Sequence, residues 1–209
     1  MGLLDRFSTD PTGAILYLAG LIVAFTFHEL GHAWTAVWEG DDTPLNEGRL
    51  TLNPLRHIEP IGLLLIVFAG FGWARPVMTR PDRYRHGRLG EVLVSLAGVI
   101  ANLLLAVLVL LALRFLGDGI AAAPGVVRAA LLDFFLINVM LLVFNLLPVP
   151  PLDGSHVLAA LVPGELGRSL RYHASRSFYL ALIVVLLFRE QIGSLIIGTA
   201  RFLMDLILL

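Results

Sequence analysis

Two histidines four residues apart, with a glutamate after the first, are the residues of this chain whose spacing most directly suggests chemistry: His28-Glu29-Leu30-Gly31-His32. On a helix, positions four apart lie one turn above the other on the same face. Both imidazoles can then bind one zinc ion, with Glu29 beside them as general base for an attacking water. The setting sharpens this reading. The motif closes an apolar stretch, AILYLAGLIVAFTF at 14–27, and a single charged residue at mid-bilayer costs ~2.5–3.5 kcal/mol. Three ionisable groups at that depth need a compensating partner, and a metal supplies one. The alternative is three interfacial polar residues that match the motif by accident.

A catalytic zinc site needs a third protein ligand and an open position for water. The chain has no Cys, so the ligands must be His, Asp or Glu. Asp153 is the best candidate, in the run Asn145-Leu-Leu-Pro-Val-Pro-Pro-Leu-Asp153-Gly154. Its prolines must break the preceding membrane helix. Irregular backbone at membrane depth is tolerated only where it is buried in protein or lines a water-filled cavity. Alone, Pro-Leu-Asp-Gly is an ordinary turn; beside the histidines it reads as a ligand. The expectation is one zinc per chain on His28, His32 and Asp153, with water as fourth ligand.

Other polar residues leave two readings each. Asn145 can donate to a developing oxyanion or hydrogen-bond between helices. Asn102 serves either as packing glue or to position the substrate backbone. His57 is a loop histidine, or a substrate-binding or auxiliary metal residue. His156, three residues after Asp153, is a second partner of the site or a surface residue. His86 and His173 stand in Arg-rich loops and read as solvated or near headgroups.

The elements that must position these groups are membrane helices. Of 209 residues, 57% are hydrophobic and only 15% charged, with a mean hydropathy of +0.84. That excludes a disordered chain, a disulfide scaffold and an ordinary soluble enzyme. All 15 cationic side chains are Arg, which argues against lysine Schiff-base and P-loop chemistry. Apolar runs predict spans over 11–38, 91–116 and 126–147, each long enough for ~30 Å of hydrocarbon. Residues 61–73 are too few to cross and read as a re-entrant or interfacial segment. The stretch 48–57 shows β-type alternation of leucines. Residues 74–90 and 165–177 read as basic loops. Residues 178–188 and 192–209 finish the chain as one span plus an interfacial helix, or as two short spans. The predicted class is an all-α polytopic membrane protein: three core spans, a re-entrant and β-like segment, and C-terminal helices. The whole of 1–209 reads as a single transmembrane domain, with a core at 12–162 and C-terminal helices at 163–209. Seven Arg between positions 49 and 88 place residues 39–90 on the cytoplasmic side.

The two motifs together resemble the site-2 protease family of intramembrane zinc metalloproteases. Further matches are Gly98-x-x-x-Asn102, the stretch Asn-Pro-Leu-Arg-His-Ile-Glu-Pro at 53–60, and Phe-Gly-Trp-Ala-Arg-Pro-Val at 71–77. The resemblance implies that His28, His32 and Asp153 are the zinc ligands and that Glu29 is the catalytic acid and base. It implies Asn145, and with less force Asn102, as groups lining the site. It also implies cleavage of transmembrane helices near the cytoplasmic face of the cell membrane. The chain is similar to the compact branch of the family, without PDZ or CBS domains. Val99 and Glu59 depart from the residues usual in the family at those places. The expected partners are a transmembrane protein substrate and the lipid bilayer; a homo-oligomer is left open and nucleic acid is not expected. Two other classes compete. A membrane metal-binding or transport protein would not need Glu29, and would show repeated halves, which are not visible. An inactive relative acting as a membrane chaperone would not need the intact motif. In the protease reading, the 48–57 stretch offers an edge for strand addition.

Overall fold

A computed structural model describes residues 3–69, 72–174 and 178–209. Phe71, residues 175–177 and the side chain of His173 lie outside the described residues. Among the described residues eleven α-helices follow in order: α1 (Leu3–Thr9), α2 (Pro11–Trp38), α3 (Thr43–Asn46), α4 (Pro60–Ala69), α5 (Arg88–Phe115), α6 (Gly117–Ala122), α7 (Gly125–Leu146), α8 (Asp153–Leu161), α9 (Gly164–Ala174), α10 (Phe178–Leu187) and α11 (Arg189–Leu208). Among the described residues there is no strand. The protein is an all-α polytopic membrane protein.

Local chemistry sets the ends of α2. The Asp10 carboxylate accepts from the Gly13 N–H at 2.9 Å, and Pro11 opens the first turn, satisfying backbone donors that a helix start leaves unpaired. At the other end the chain turns at Gly40, whose φ of +104° suits glycine. The 28 residues of α2 rise ~42 Å at ~1.5 Å each, more than the ~30 Å of hydrocarbon. Trp34 and Trp38 are exposed near the C-terminal end of α2, as an interfacial belt requires.

α2, α5, α7 and α11 are long and apolar enough to cross a membrane. α2, α5 and α7 pack on one another, α8 leans on α5, and α11 covers α5 and α7. The core is built in two clusters. Leu21, Ala24, Ile137 and Leu141 join α2 to α7; Ala106, Leu110, Phe135, Val139 and Leu203 join α5, α7 and α11. Small residues set the closest approach. A Cβ on Gly31 would stand 2.8 Å from the Ala97 carbonyl oxygen of α5, so the glycine lets the two backbones meet, as small residues do between membrane helices.

The segment at 61–73 forms the ten-residue α4, ~15 Å long and unable to span. Its Ile66 and Val67 pack with Leu3 and Phe7 of α1. The chain then doubles back, with Gly72 and Trp73 pressed against Gly62 and Ile58 bridged antiparallel to Ala74. Ile58 and Ala74, which flank the stretch, thus lie side by side.

Two expectations are corrected. The 48–57 stretch is not β-like. Asn53 accepts from the Leu55 N–H at 3.1 Å and Pro54–Arg56 form a 3₁₀ turn. Pro54 has no donor for a ladder, and the alternating Leu50, Leu52 and Leu55 are simply exposed. Hence no strand edge is present there. Residues 164–174 are helix rather than loop, because Leu166 and Leu170 recur one turn apart in that polar run.

Candidate metal centre

α2 carries His28 and His32 on the face turned to α5. Their Nε2 atoms lie 3.1 Å apart. Asp153 reaches them from the start of α8, its Oδ2 3.3 Å from His28 Nε2 and 3.4 Å from His32 Nε2. The prolines after Leu147 end α7, and Gly154 allows α8 to start against its end: a Cβ there would lie 2.6 Å from the Leu147 carbonyl oxygen. The break and the glycine together swing the Asp153 carboxylate across to α2. Gly98 makes the floor of the site. A Cβ on it would overlap His32 Nε2 and would stand 2.7 Å from His28 Cε1.

The three converging atoms can hold one metal ion. Ligand atoms on a tetrahedral zinc with bonds of ~2.0–2.1 Å stand ~3.3–3.4 Å apart, matching the distances above. Asp153 Oδ2 is buried without a hydrogen-bond partner, and buried polar atoms are rarely left so. The ring tautomers also suit a metal. His28 Nδ1 lies 2.7 Å from Asn102 Oδ1, and His32 Nδ1 lies 2.7 Å from the Val94 carbonyl oxygen. Both partners are acceptors, so each Nδ1 carries its proton and each Nε2 offers a lone pair.

Glu29 is buried on the same turn. Its Oε2 accepts from the Val77 N–H at 2.9 Å and lies 3.9 Å from Arg49 Nη2. Arg49 is itself buried and donates to the carbonyls of Arg56 and Arg75. It thus ties the two loops to the glutamate. His57 is buried too, its Nε2 2.8 Å from the Thr51 carbonyl oxygen, and burial pushes its imidazole below the ordinary pKa. Glu39 and Asp41, both fully buried, hold the second loop: Glu39 accepts from the His86 N–H at 3.1 Å, and Asp41 from the Arg80 N–H at 2.6 Å.

The structure therefore brings His28, His32 and Asp153 together, with Asn102 behind His28. Asn145, near the end of α7, donates one amide N–H to the Leu141 carbonyl one turn back, at 3.1 Å. His156 shares a helix with Asp153 and makes no hydrogen bond to the three among the described residues. Asn138, fully buried and bonded to Asn102 at 2.9 Å, is a residue that sequence reasoning missed. A lone asparagine in an apolar span carries no local sign of its partner on another helix.

Membrane-length helices that bring an H-E-x-x-H turn to face an aspartate define a membrane metalloprotease. Comparison with known proteins agrees. Residues 118–188 match the model of Peptidase family M50. The chain is 41% identical, over 93% of its own length and 90% of the relative's, to the candidate zinc metalloprotease YwhC of Bacillus subtilis. It is 33% identical, over 92% of its length and 74% of the relative's, to the candidate zinc metalloprotease Rip2 of Mycobacterium tuberculosis. Zinc metalloprotease MJ0392 of Methanocaldococcus jannaschii is 27% identical over 83% of this chain and 42% of the relative. No solved structure gives a significant match. The chain belongs to Peptidase family M50, the site-2 protease family. It is a zinc metalloprotease of the membrane, and its substrate is a protein.

Proposed function

We propose that the protein is an intramembrane zinc metallopeptidase that hydrolyses peptide bonds within transmembrane segments of other proteins. The observation that carries this is the convergence of His28 Nε2, His32 Nε2 and Asp153 Oδ2 within 3.1–3.4 Å at the end of a membrane-length helix. In this reading the three residues hold one zinc ion per chain. Zinc bound there supplies Lewis acidity, polarising the scissile carbonyl and acidifying a water.

The chain's own residues do the rest. The Val77 N–H anchors Glu29 through Oε2, which leaves Oε1 to accept a proton from the attacking water and later hand it to the leaving amine. Arg49 at 3.9 Å offsets part of the cost of burying that carboxylate. Asn145 uses one amide N–H on Leu141; the other is the donor proposed for the developing oxyanion. The site lies in a single transmembrane metalloprotease domain spanning 1–209, with a core at 12–162 and C-terminal helices at 163–209. Lipid surrounds the exposed apolar faces, such as Leu104 and Leu108 of α5.

Cleavage in liposomes tests the proposal. Zinc-loaded protein should cut a single-span test substrate inside its apolar segment, and a zinc chelator should stop it. Cleavage confined to soluble peptides, with every span tested left intact, contradicts it.

We place the site near the cytoplasmic face of the cell membrane, because seven Arg lie between positions 49 and 88. Cysteine introduced at the exposed Asn46 or Asp82 should stay unlabelled by an impermeant thiol reagent in intact cells and react after lysis. Labelling in intact cells reverses the orientation.

A further inference from the structure

We infer that Asn138 of α7 is a positioning residue for the metal centre, acting through Asn102 to fix which nitrogen of His28 carries the proton and so keep the Nε2 lone pair free for the metal. The inference rests on the metal reading above. The two histidines are oriented in different ways. His32 Nδ1 is met directly by the backbone carbonyl of Val94 at 2.7 Å, an acceptor with no alternative. His28 Nδ1 is met by the side-chain amide of Asn102 at 2.7 Å, and an amide can present either its oxygen or its NH₂. Only the oxygen demands a protonated Nδ1 and so leaves the Nε2 lone pair for a metal. A reversed amide would place the proton on Nε2 and turn an N–H toward Asp153 and His32.

Three contacts decide the orientation. Asn102 Nδ2 donates to the Ala24 carbonyl at 3.3 Å and to Asn138 Oδ1 at 2.9 Å. Asn138 in turn donates its Nδ2 to the Phe134 carbonyl at 2.8 Å. Since Phe134 offers only an acceptor, Asn138 must present its oxygen to Asn102, and Asn102 must present its oxygen to His28. The polarity of the chain runs from a backbone carbonyl on α7, through α5, to the ligand on α2. Asn102 and Asn138 are both fully buried in membrane-length helices, so bulk water cannot replace a lost link.

Metal partners one step beyond the ligands typically change affinity by ~10–100-fold when removed. Asn138→Leu leaves Asn102 with the longer Ala24 contact alone. It should weaken zinc binding ~10-fold in a chelator competition. In metal-free protein, ¹⁵N NMR of His28 should change from a single Nδ1–H tautomer to a mixture. Asn138→Ser, which keeps the Phe134 bond but is too short to reach Asn102, should do the same if the leucine variant does not fold. Adding Asn102→Asp should restore both readouts, because a carboxylate accepts at either oxygen and needs no orienting partner. Val139→Ala, an equally buried neighbour outside the chain of bonds, should lower thermal stability and leave affinity and tautomer unchanged.

Unchanged affinity and an unchanged tautomer in both Asn138 variants overturn the inference. So does an equal loss in Val139→Ala, which would make the effect one of packing. Wild-type protein that binds no zinc overturns the metal reading instead, and the tautomer of wild type and variants still decides the role of Asn138.

Discussion

Replacing Gly98 with alanine should weaken zinc binding ~5- to 150-fold. The added Cβ would overlap His32 Nε2 and stand 2.7 Å and 2.8 Å from His28 Cε1 and Nδ1. Those atoms belong to planar rings held by Asn102 and Val94, not to flexible chain ends, so they cannot step aside and still converge. Forcing an extra carbon into packed space costs ~1–3 kcal/mol, and ~1.4 kcal/mol is a factor of ten in affinity. Gly193→Ala on α11, where a Cβ meets nothing, is the matched control and should bind zinc as wild type does. Chelator competition on both variants reads the difference. Equal affinities would show that the rings do not rest on Gly98.

Glu29→Gln should abolish turnover while keeping the metal. The glutamine oxygen can still accept from the Val77 N–H, so the loop contact at 2.9 Å survives. The three atoms that converge belong to other residues, and their geometry does not depend on the lost charge. What would disappear is the proton acceptor proposed for the attacking water. Loss of a general base costs ~10²–10⁴ in rate, and more when the same group also protonates the leaving amine. The expected outcome is near-stoichiometric zinc, little change in KM and a kcat lower by at least ~10² on a transmembrane substrate in liposomes. Wild-type kcat in this variant removes Glu29 from the mechanism.

The spans are legible in the sequence because an apolar run of membrane length needs no tertiary information; the first is read as 11–38 and observed as Pro11–Trp38. The histidine pair is legible for the same reason, since i and i+4 are neighbours on any helix. Asp153 is legible through its prolines, which announce broken backbone where a membrane forbids it without cause. Its meeting with the histidines, 125 and 121 residues away along the chain, is a tertiary fact that spacing only suggests. Residues whose meaning depends wholly on such meetings escape. Asn138 is one asparagine in an apolar run until α5 brings Asn102 to it. Arg49 is one of seven arginines in its region until two loops close over it and Glu29. The leucines at 50, 52 and 55 mislead in the opposite way: their alternation is real, but Pro54 and the Asn53 turn leave no ladder for them. Pattern fixes which face a strand would bury only when a partner strand exists.

Zinc content and its immediate coordination test the central claim most directly. Wild-type protein purified in detergent, loaded and desalted, should carry about one zinc per chain, with an X-ray absorption spectrum showing two imidazole nitrogens at ~2.0–2.1 Å and oxygen at ~2.0–2.2 Å. His32→Ala and Asp153→Ala, verified as folded, should lose the metal or bind it far more weakly. Wild type that stays metal-free, or an Asp153→Ala protein with undiminished zinc and the same spectrum, would contradict the site.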